Sequence, residues 1–286
     1  MKIKKSAKRL SIIILIGIVL LVYSNFETRW IKITNVSIES NDIPKSFNGK
    51  KIVFVSDIHH GVYFSIERVR KLVLQINELK PDIIILGGDY TYWSSQFIKP
   101  FFDEFSKVKS KYGIYGILGN HDYFVDAALT TKMMLRNGIR MCDNKSYWVK
   151  IKSDSIKIGG VGFKDERYED INYTISDVKR KDFCILIFHR PYYIDKINTD
   201  LVDLTLSGHT HGGQLTFFGL WAPIIPAENG LWASVFPSKH SQKYRYGLIN
   251  SKPHMQSYIT SGVGTIFPPL RFFCRPEIVV LHLKRK

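Results

Sequence analysis

Five short clusters hold most of the side chains suited to chemistry: Asp57-x-His59, Gly88-Asp89, Gly119-Asn120-His121-Asp122, His189-Arg190-Pro191 and Gly208-His209-Thr210-His211. Carboxylate, imidazole and amide donors of this kind suit divalent Zn, Mn or Fe, and no thiolate joins them. Asp57, His59, Asp89, Asn120, His189, His209 and His211 together exceed what one tetrahedral ion takes, and suit two ions sharing a bridging carboxylate. With neutral His and Asn ligands, only Asp57 and Asp89 offset the two ions. The remaining charge of about +2 attracts a phosphate anion. Ions about 3.5 to 4 Å apart can clamp the attacking and leaving oxygens, and they lower the pKa of a bound water toward neutrality, so that hydroxide is available as the attacking group.

Each of these residues has a plainer role in isolation. Asp57 and Asp89 fit turns or caps, Asn120 after Gly119 fits a left-handed turn, and His189 fits a satisfied core histidine. His209 and His211 are harder to set aside, because their spacing puts both on one side of an extended segment.

The elements that must position these clusters are legible as apolar runs. Residues 52–55, 83–86 and 114–118 read as buried strands, each ending where a cluster begins. Between them, the helical spacing of Ile66, Val69, Leu72, Val73, Ile76 and Leu79, closed by Pro81, predicts an amphipathic helix, and 98–108 predicts another. This β-α-β-α-β order implies parallel strands with helical crossovers. Further strands are expected at 147–151, 156–161, 184–188, 204–206, 215–217, 257–260 and 278–283. So many strands favour two packed sheets over one wide sheet, with the clusters gathered at the strands' carboxyl ends.

The ordered series D-x-H, G-D, G-N-H-D, H, G-H-x-H resembles the calcineurin-like metallophosphoesterases, from about Lys51 to the C-terminus. The run GHTHGGQ, residues 208–214, is similar to a branch of bacterial membrane-associated members. Each motif alone is weak, but five in order are specific. The resemblance implies an α/β fold, a four-layer α-β-β-α sandwich of two mixed β-sheets flanked by helices. It also implies that Asp57, His59 and His211 hold a first ion, that Asn120, His189 and His209 hold a second, and that Asp89 bridges them. His121 would stay unligated and protonate the leaving oxygen, oriented by Asp122. His60 has no role in this scheme and reads as a neighbour at the mouth, while Arg190 is open between a phosphate contact and a surface role.

The formal charge of +16 points to anionic partners. Lys2, Lys4, Lys5, Lys8 and Arg9 carry five of those charges, leaving +11 scattered over the rest. Such scatter fits a lipid surface or a phosphorylated substrate better than nucleic acid. Cys142, Cys184 and Cys274 are widely separated and read as buried free thiols.

The uncharged run 10–23 (LSIIILIGIVLLVY), extended to residue 26, is suited to a bilayer as a transmembrane helix, or to a signal peptide. Its basic flank, against only Arg29 and Lys32 after it, predicts a cytoplasmic tail over 1–9 and a body outside the cytoplasm. The expected organisation is therefore tail 1–9, anchor 10–26, lead-in 27–50 and catalytic domain 51–286. The resemblance to the membrane-associated branch implies a phosphodiester or pyrophosphate substrate, lipid-linked as in UDP-diacylglucosamine or a phospholipid; the alternatives are a broad phosphomonoesterase and a non-catalytic metal- or lipid-binding scaffold. Finally, 215–237 is rich in aromatics yet broken by Pro223, Pro226, Pro237, Gly219 and Gly230, so it is either a plug over the second sheet or an apolar rim beside the site.

Overall fold

The computed structural model describes residues 2–162, 168–226 and 233–286. The chain opens with helix α1 (Lys2–Glu27), whose apolar part Ala7–Glu27 is long enough to cross a bilayer at about 1.5 Å per residue. The segment after it, with its spaced apolar residues, forms β1 (Lys32–Ser40).

There follow β2 (Lys51–Val55), α2 (Ile66–Glu78), β3 (Ile83–Leu86), α3 (Ile98–Phe105), β4 (Ile114–Gly116), α4 (Asn120–Arg136) and β5 (Ile139–Met141). The second half contributes β6 (Lys145–Ile151), β7 (Asp154–Val161), α5 (Tyr168–Thr174), β8 (Cys184–Phe188), β9 (Leu204–Ser207), β10 (Ile224–Pro226), β11 (Ala233–Val235), α6 (Lys239–Lys243), β12 (Gly247–Lys252), β13 (Met255–Ile259) and β14 (Glu277–Arg285).

Among the described residues these strands make two six-stranded mixed sheets, ordered β1-β14-β2-β3-β4-β5 and β12-β13-β9-β8-β7-β6, plus the hairpin β10-β11. β2 through β5 are parallel, as are β7, β8, β9 and β13, so the helical crossovers put their carboxyl ends at a common edge.

Alternation along the strands explains the layers. On β2, Ile52 and Phe54 face the second sheet and join Ile185, Ile187 and Leu206 in the central core. Val53 and Val55 point the other way, onto Val69, Leu72 and Ile76 of α2 and Phe101, Phe102 and Phe105 of α3. The second sheet's outer face, with Leu186 and Phe188, is covered by Ile171, Ile175, Ile194 and Tyr244. Two buried faces per sheet require the near-continuous apolar runs seen in β3 and β8.

Three expectations need correction. Residues 215–217 form no strand; Leu215 and Phe217 make only isolated bridges, to Phe272 and Trp221. The strand expected to reach Leu118 stops at Gly116, because the chain turns there to bring Gly119 against Asp89. The helix expected to reach Val108 ends at Phe105. In 215–237, the stretch 227–232, with Leu231 and Trp232, lies outside the described residues. In the remainder Ala222 and Ile225 are buried, whereas Phe217, Phe218, Leu220, Ile224, Val235 and Phe236 are exposed.

Candidate metal centre

The five clusters converge at the shared carboxyl edge. Asp57 and His59 follow β2, Asp89 follows β3, Asn120 opens α4, His189 follows β8, and His209 and His211 follow β9. All of these candidate ligands are buried. Asp57, His59, Asp89, His209 and His211 have positive φ, from 50° to 68°, which costs a non-glycine residue of order 1–3 kcal/mol and is held only where the surroundings over-determine it. The backbone is bent so that these side chains turn inward.

Two donor groups emerge. In one, His59 Nε2 is 3.1 Å from His211 Nε2 and 4.0 Å from Asp57 Oδ1, with His211 Nε2 3.5 Å from the same oxygen. In the other, Asn120 Oδ1 is 2.9 Å from His189 Nε2 and 2.9 Å from His209 Nδ1. Asp89 Oδ2 lies between them, 3.5 Å from His59 Nε2 and 3.3 Å from His189 Nε2.

These positions are fixed from behind. His189 Nδ1 is 2.8 Å from the Gly87 carbonyl, which leaves Nε2 for the site. The backbone N–H of His209 donates to both oxygens of Asp57, at 3.0 and 3.1 Å. Asp89 Oδ1 accepts from His121 N–H, at the positive end of α4, at 2.8 Å. Glycine is needed where the carboxylates pass: a Cβ on Gly119 would lie 2.1 Å from Asp89 Oδ1, and one on Gly208 2.1 Å from Asp57 Oδ2.

The donor set fits divalent cations. Burial pushes His59 and His211 well below the ordinary imidazole range, so both are neutral, the form that ligates. Burial also pushes Asp57 up, and Asp89 adds to this. For Asp89 the penalty of burial is outweighed by His189 and His121, and it falls well below the usual range. Burial likewise disfavours charge on His189, but Asp89 and Asp57 prevail and raise it to about 10. The close approach of the His59 and His211 nitrogens leaves each facing another nitrogen, an arrangement that suits a shared cation.

His121 sits beside this cluster, its ring 4.7 Å from that of His59 and 5.1 Å from that of Tyr92. The expectation that Asp122 orients His121 is not met. Asp122 points back into the fold, where Oδ2 accepts from Asp89 N–H at 2.7 Å and Gly119 N–H at 2.9 Å, and Oδ1 from Tyr90 N–H at 3.0 Å. Burial and the charge of Asp89 push the Asp122 carboxyl up, while those three backbone donors hold it down. His60 turns away as well, its Nδ1 2.7 Å from the Phe64 carbonyl. Arg190 stacks over Tyr193 and donates to its hydroxyl.

Spacing gave no sign of Tyr92, buried beside His59, or of Arg271, which is fully buried and donates to the carbonyls of Ser261, Gly264 and Cys274 behind Asp57. The turn Gly262-Val263-Gly264, whose Gly264 N–H donates to the Asp57 carbonyl at 2.7 Å, is the one local signal that could have pointed there. A cavity of about 480 Å³ opens over the cluster, lined by His121, His209 and His211 and by Leu215, Ile224 and Phe267.

A buried set of imidazoles and carboxylates at the edge of an α-β-β-α sandwich defines a metal-dependent phosphoesterase. The chain belongs to the calcineurin-like phosphoesterases, whose family pattern matches residues 50–213. It is 33% identical over 268 residues to the uncharacterized metallophosphoesterase YkuE of Bacillus subtilis, covering 90% of this chain and 87% of that one. Over 238 residues it is 26% identical to phosphodiesterase YaeI of Escherichia coli, covering 82% of each. A zebrafish (Danio rerio) transmembrane protein with metallophosphoesterase domain is 26% identical over 89% of this chain and 57% of its own length.

Proposed function

We propose that the chain hydrolyses a phosphodiester or pyrophosphate carried on a lipid, with two divalent ions held by Asp57, His59 and His211 on one side and by Asn120, His189 and His209 on the other, and with Asp89 between them. The placement of Asp89 Oδ2 between the two donor groups carries the two-ion reading. When bound there, divalent ions would supply the Lewis acidity that activates a water and offsets charge on the phosphoryl oxygens. The chain's own part is to orient the substrate and move one proton. His121, at the cavity wall and kept mostly neutral by burial, gives its proton to the departing oxygen after taking one up from solvent.

Leu215, Ile224, Ile266 and Phe267 make one wall of the cavity apolar, which suits a substrate with an acyl portion. The description of YaeI as a phosphodiesterase supports the diester reading. In this reading the helix Ala7–Glu27, long and apolar enough to cross a bilayer, anchors the enzyme, and its basic flank supports a catalytic domain outside the cytoplasm.

The deciding experiment loads the full chain with Mn or Zn and compares an acylated pyrophosphate, a phospholipid, a soluble alkyl diester and a monoester. The expected order is lipid-linked substrate first and monoester last. A monoester turned over fastest would overturn the reading in favour of a broad phosphomonoesterase, and no turnover in metal-loaded protein would favour a scaffold.

A further inference from the structure

The C-terminal end of α1 is locked to the segment that borders the site. Tyr23 meets Phe272 edge-on at 5.6 Å and Phe273 at 5.7 Å, and the Ser24 carbonyl accepts from Arg271 N–H at 3.1 Å. Phe272 in turn holds the apolar loop, its carbonyl accepting from Thr216 N–H at 2.9 Å, while Phe218 packs on Phe273 at 4.9 Å. The loop that carries Phe217, Phe218 and Leu220 is therefore continuous with the point where the apolar helix ends.

Those side chains are not buried. Phe218 is 73% exposed, Leu220 84% and Phe236 77%, a concentration that a water-facing surface does not favour. Leu215 and Ile224 of the same region line the cavity above His209 and His211. The other flank of the helix end carries Arg29 and Lys71 around a second hollow that Glu67 also lines, with Arg68 held there by the carbonyls of Tyr63 and Thr28, and the net positive charge would attract anionic headgroups. Aromatic residues and cations gathered at the end of an apolar helix are the arrangement that the bilayer interface stabilises.

We propose that Phe217, Phe218, Leu220 and Phe236 dip into the same leaflet that α1 enters, so that the mouth of the metal centre opens onto the membrane surface. The occupant of this rim is a lipid bilayer, and continuity with the anchoring helix distinguishes it from a second copy of the chain. The proposal rests on the function above only in giving that site its route to lipid-borne substrate.

The test uses the full chain in phosphatidylcholine vesicles containing phosphatidylglycerol. Cys142, Cys184 and Cys274 are buried, so nitroxide labelling reports on an introduced cysteine. Leu220→Cys and Phe236→Cys probe the rim. Ser153→Cys, in the turn before β7 at the far end of the sandwich, is the control. The expected result is a several-fold higher ratio of collisions with oxygen over a nickel chelate at 220 and 236 than at 153. Equal ratios at all three positions would overturn the proposal, and so would label–label broadening at 220 that persists at high lipid dilution, which would assign the rim to a second copy.

A second arm measures hydrolysis. Leu220→Asp with Phe236→Asp is expected to reduce turnover of an acylated substrate in vesicles several-fold and leave a soluble diester unchanged; equal loss on both would overturn the proposal. Failure of the enzymatic reading looks different: the labels at 220 and 236 would still report lipid while no phosphate ester is cleaved by any variant.

Discussion

The carboxylate of Glu27, the last residue of α1, accepts a hydrogen bond from the backbone N–H of Cys274 at 2.7 Å, and its other oxygen accepts from Phe273 N–H at 2.8 Å. Cys274 Sγ in turn lies 3.4 Å from the His211 carbonyl, so the helix and a candidate ligand share one short chain of contacts. Glu27→Ala would leave two backbone donors without that carboxylate, at about 1–3 kcal/mol each. A clear drop in thermal midpoint of the full chain in detergent is expected, with Glu27→Gln in between. An unchanged midpoint in the alanine variant would show that the contact contributes nothing.

Asp122 offers a sharper separation of roles. Since its oxygens accept three backbone N–H groups around Asp89, Asp122→Asn should lower stability, because an amide has one acceptor oxygen and places N–H groups against N–H groups. It should also loosen metal binding through Asp89. If Asp122 acted on His121 instead, the variant would keep its thermal midpoint and metal content and show only an altered pH profile.

The site was more legible than its support. The candidate ligands stand directly after apolar runs, and runs such as 83–86 and 184–188 coincide with β3 and β8, because a strand buried on both faces leaves an unbroken apolar signature. β1 was hidden by its alternating half-exposed pattern, as expected at a sheet edge. α4 was hidden because its first turn, Asn120-His121-Asp122, is polar and its periodicity is broken by a kink at Asp126. Asp122 read as a partner of its neighbour His121, but successive residues on a helix point in different directions, and that geometry sends the carboxylate backward onto β3's exit.

Asp89 and His209 differ in what their loss should do. Asp89 Oδ2 approaches both donor groups, whereas His209 Nδ1 belongs to the second group, 2.9 Å from Asn120 Oδ1. Asp89→Ala should therefore lower bound metal toward zero, and His209→Ala should retain about one ion per chain. Elemental analysis of purified protein decides this. Retention of a full complement in Asp89→Ala would remove the bridging role.

His121→Ala should keep the metal content and lower turnover by about 10²- to 10⁴-fold where the leaving oxygen needs a proton. For a nitrophenol ester, whose leaving group departs as a stable anion, the loss should be much smaller. Equal losses on an alkyl and a nitrophenyl ester would exclude proton donation.

Away from the site, Asp203 should make stability depend on pH. It joins the layers near β1, with Oδ2 accepting from Cys184 N–H at 2.9 Å and Oδ1 from Ser40 Oγ at 3.2 Å. Burial, aided by the nearby charge of Asp42, raises its carboxyl to about 7, against an ordinary value near 3.8. The folded chain then binds a proton that the unfolded chain does not, so stability contributed by protonated Asp203 is complete below about pH 4 and is lost as pH rises to about 7. The loss amounts to a few kcal/mol at most, at about 1.4 kcal/mol for each pH unit. Asp203→Asn preserves an acceptor for Cys184 without a titrating proton, so its thermal midpoint should change less between pH 4 and pH 7 than that of the parent. Parallel curves for the two proteins would show that Asp203 is ionised throughout.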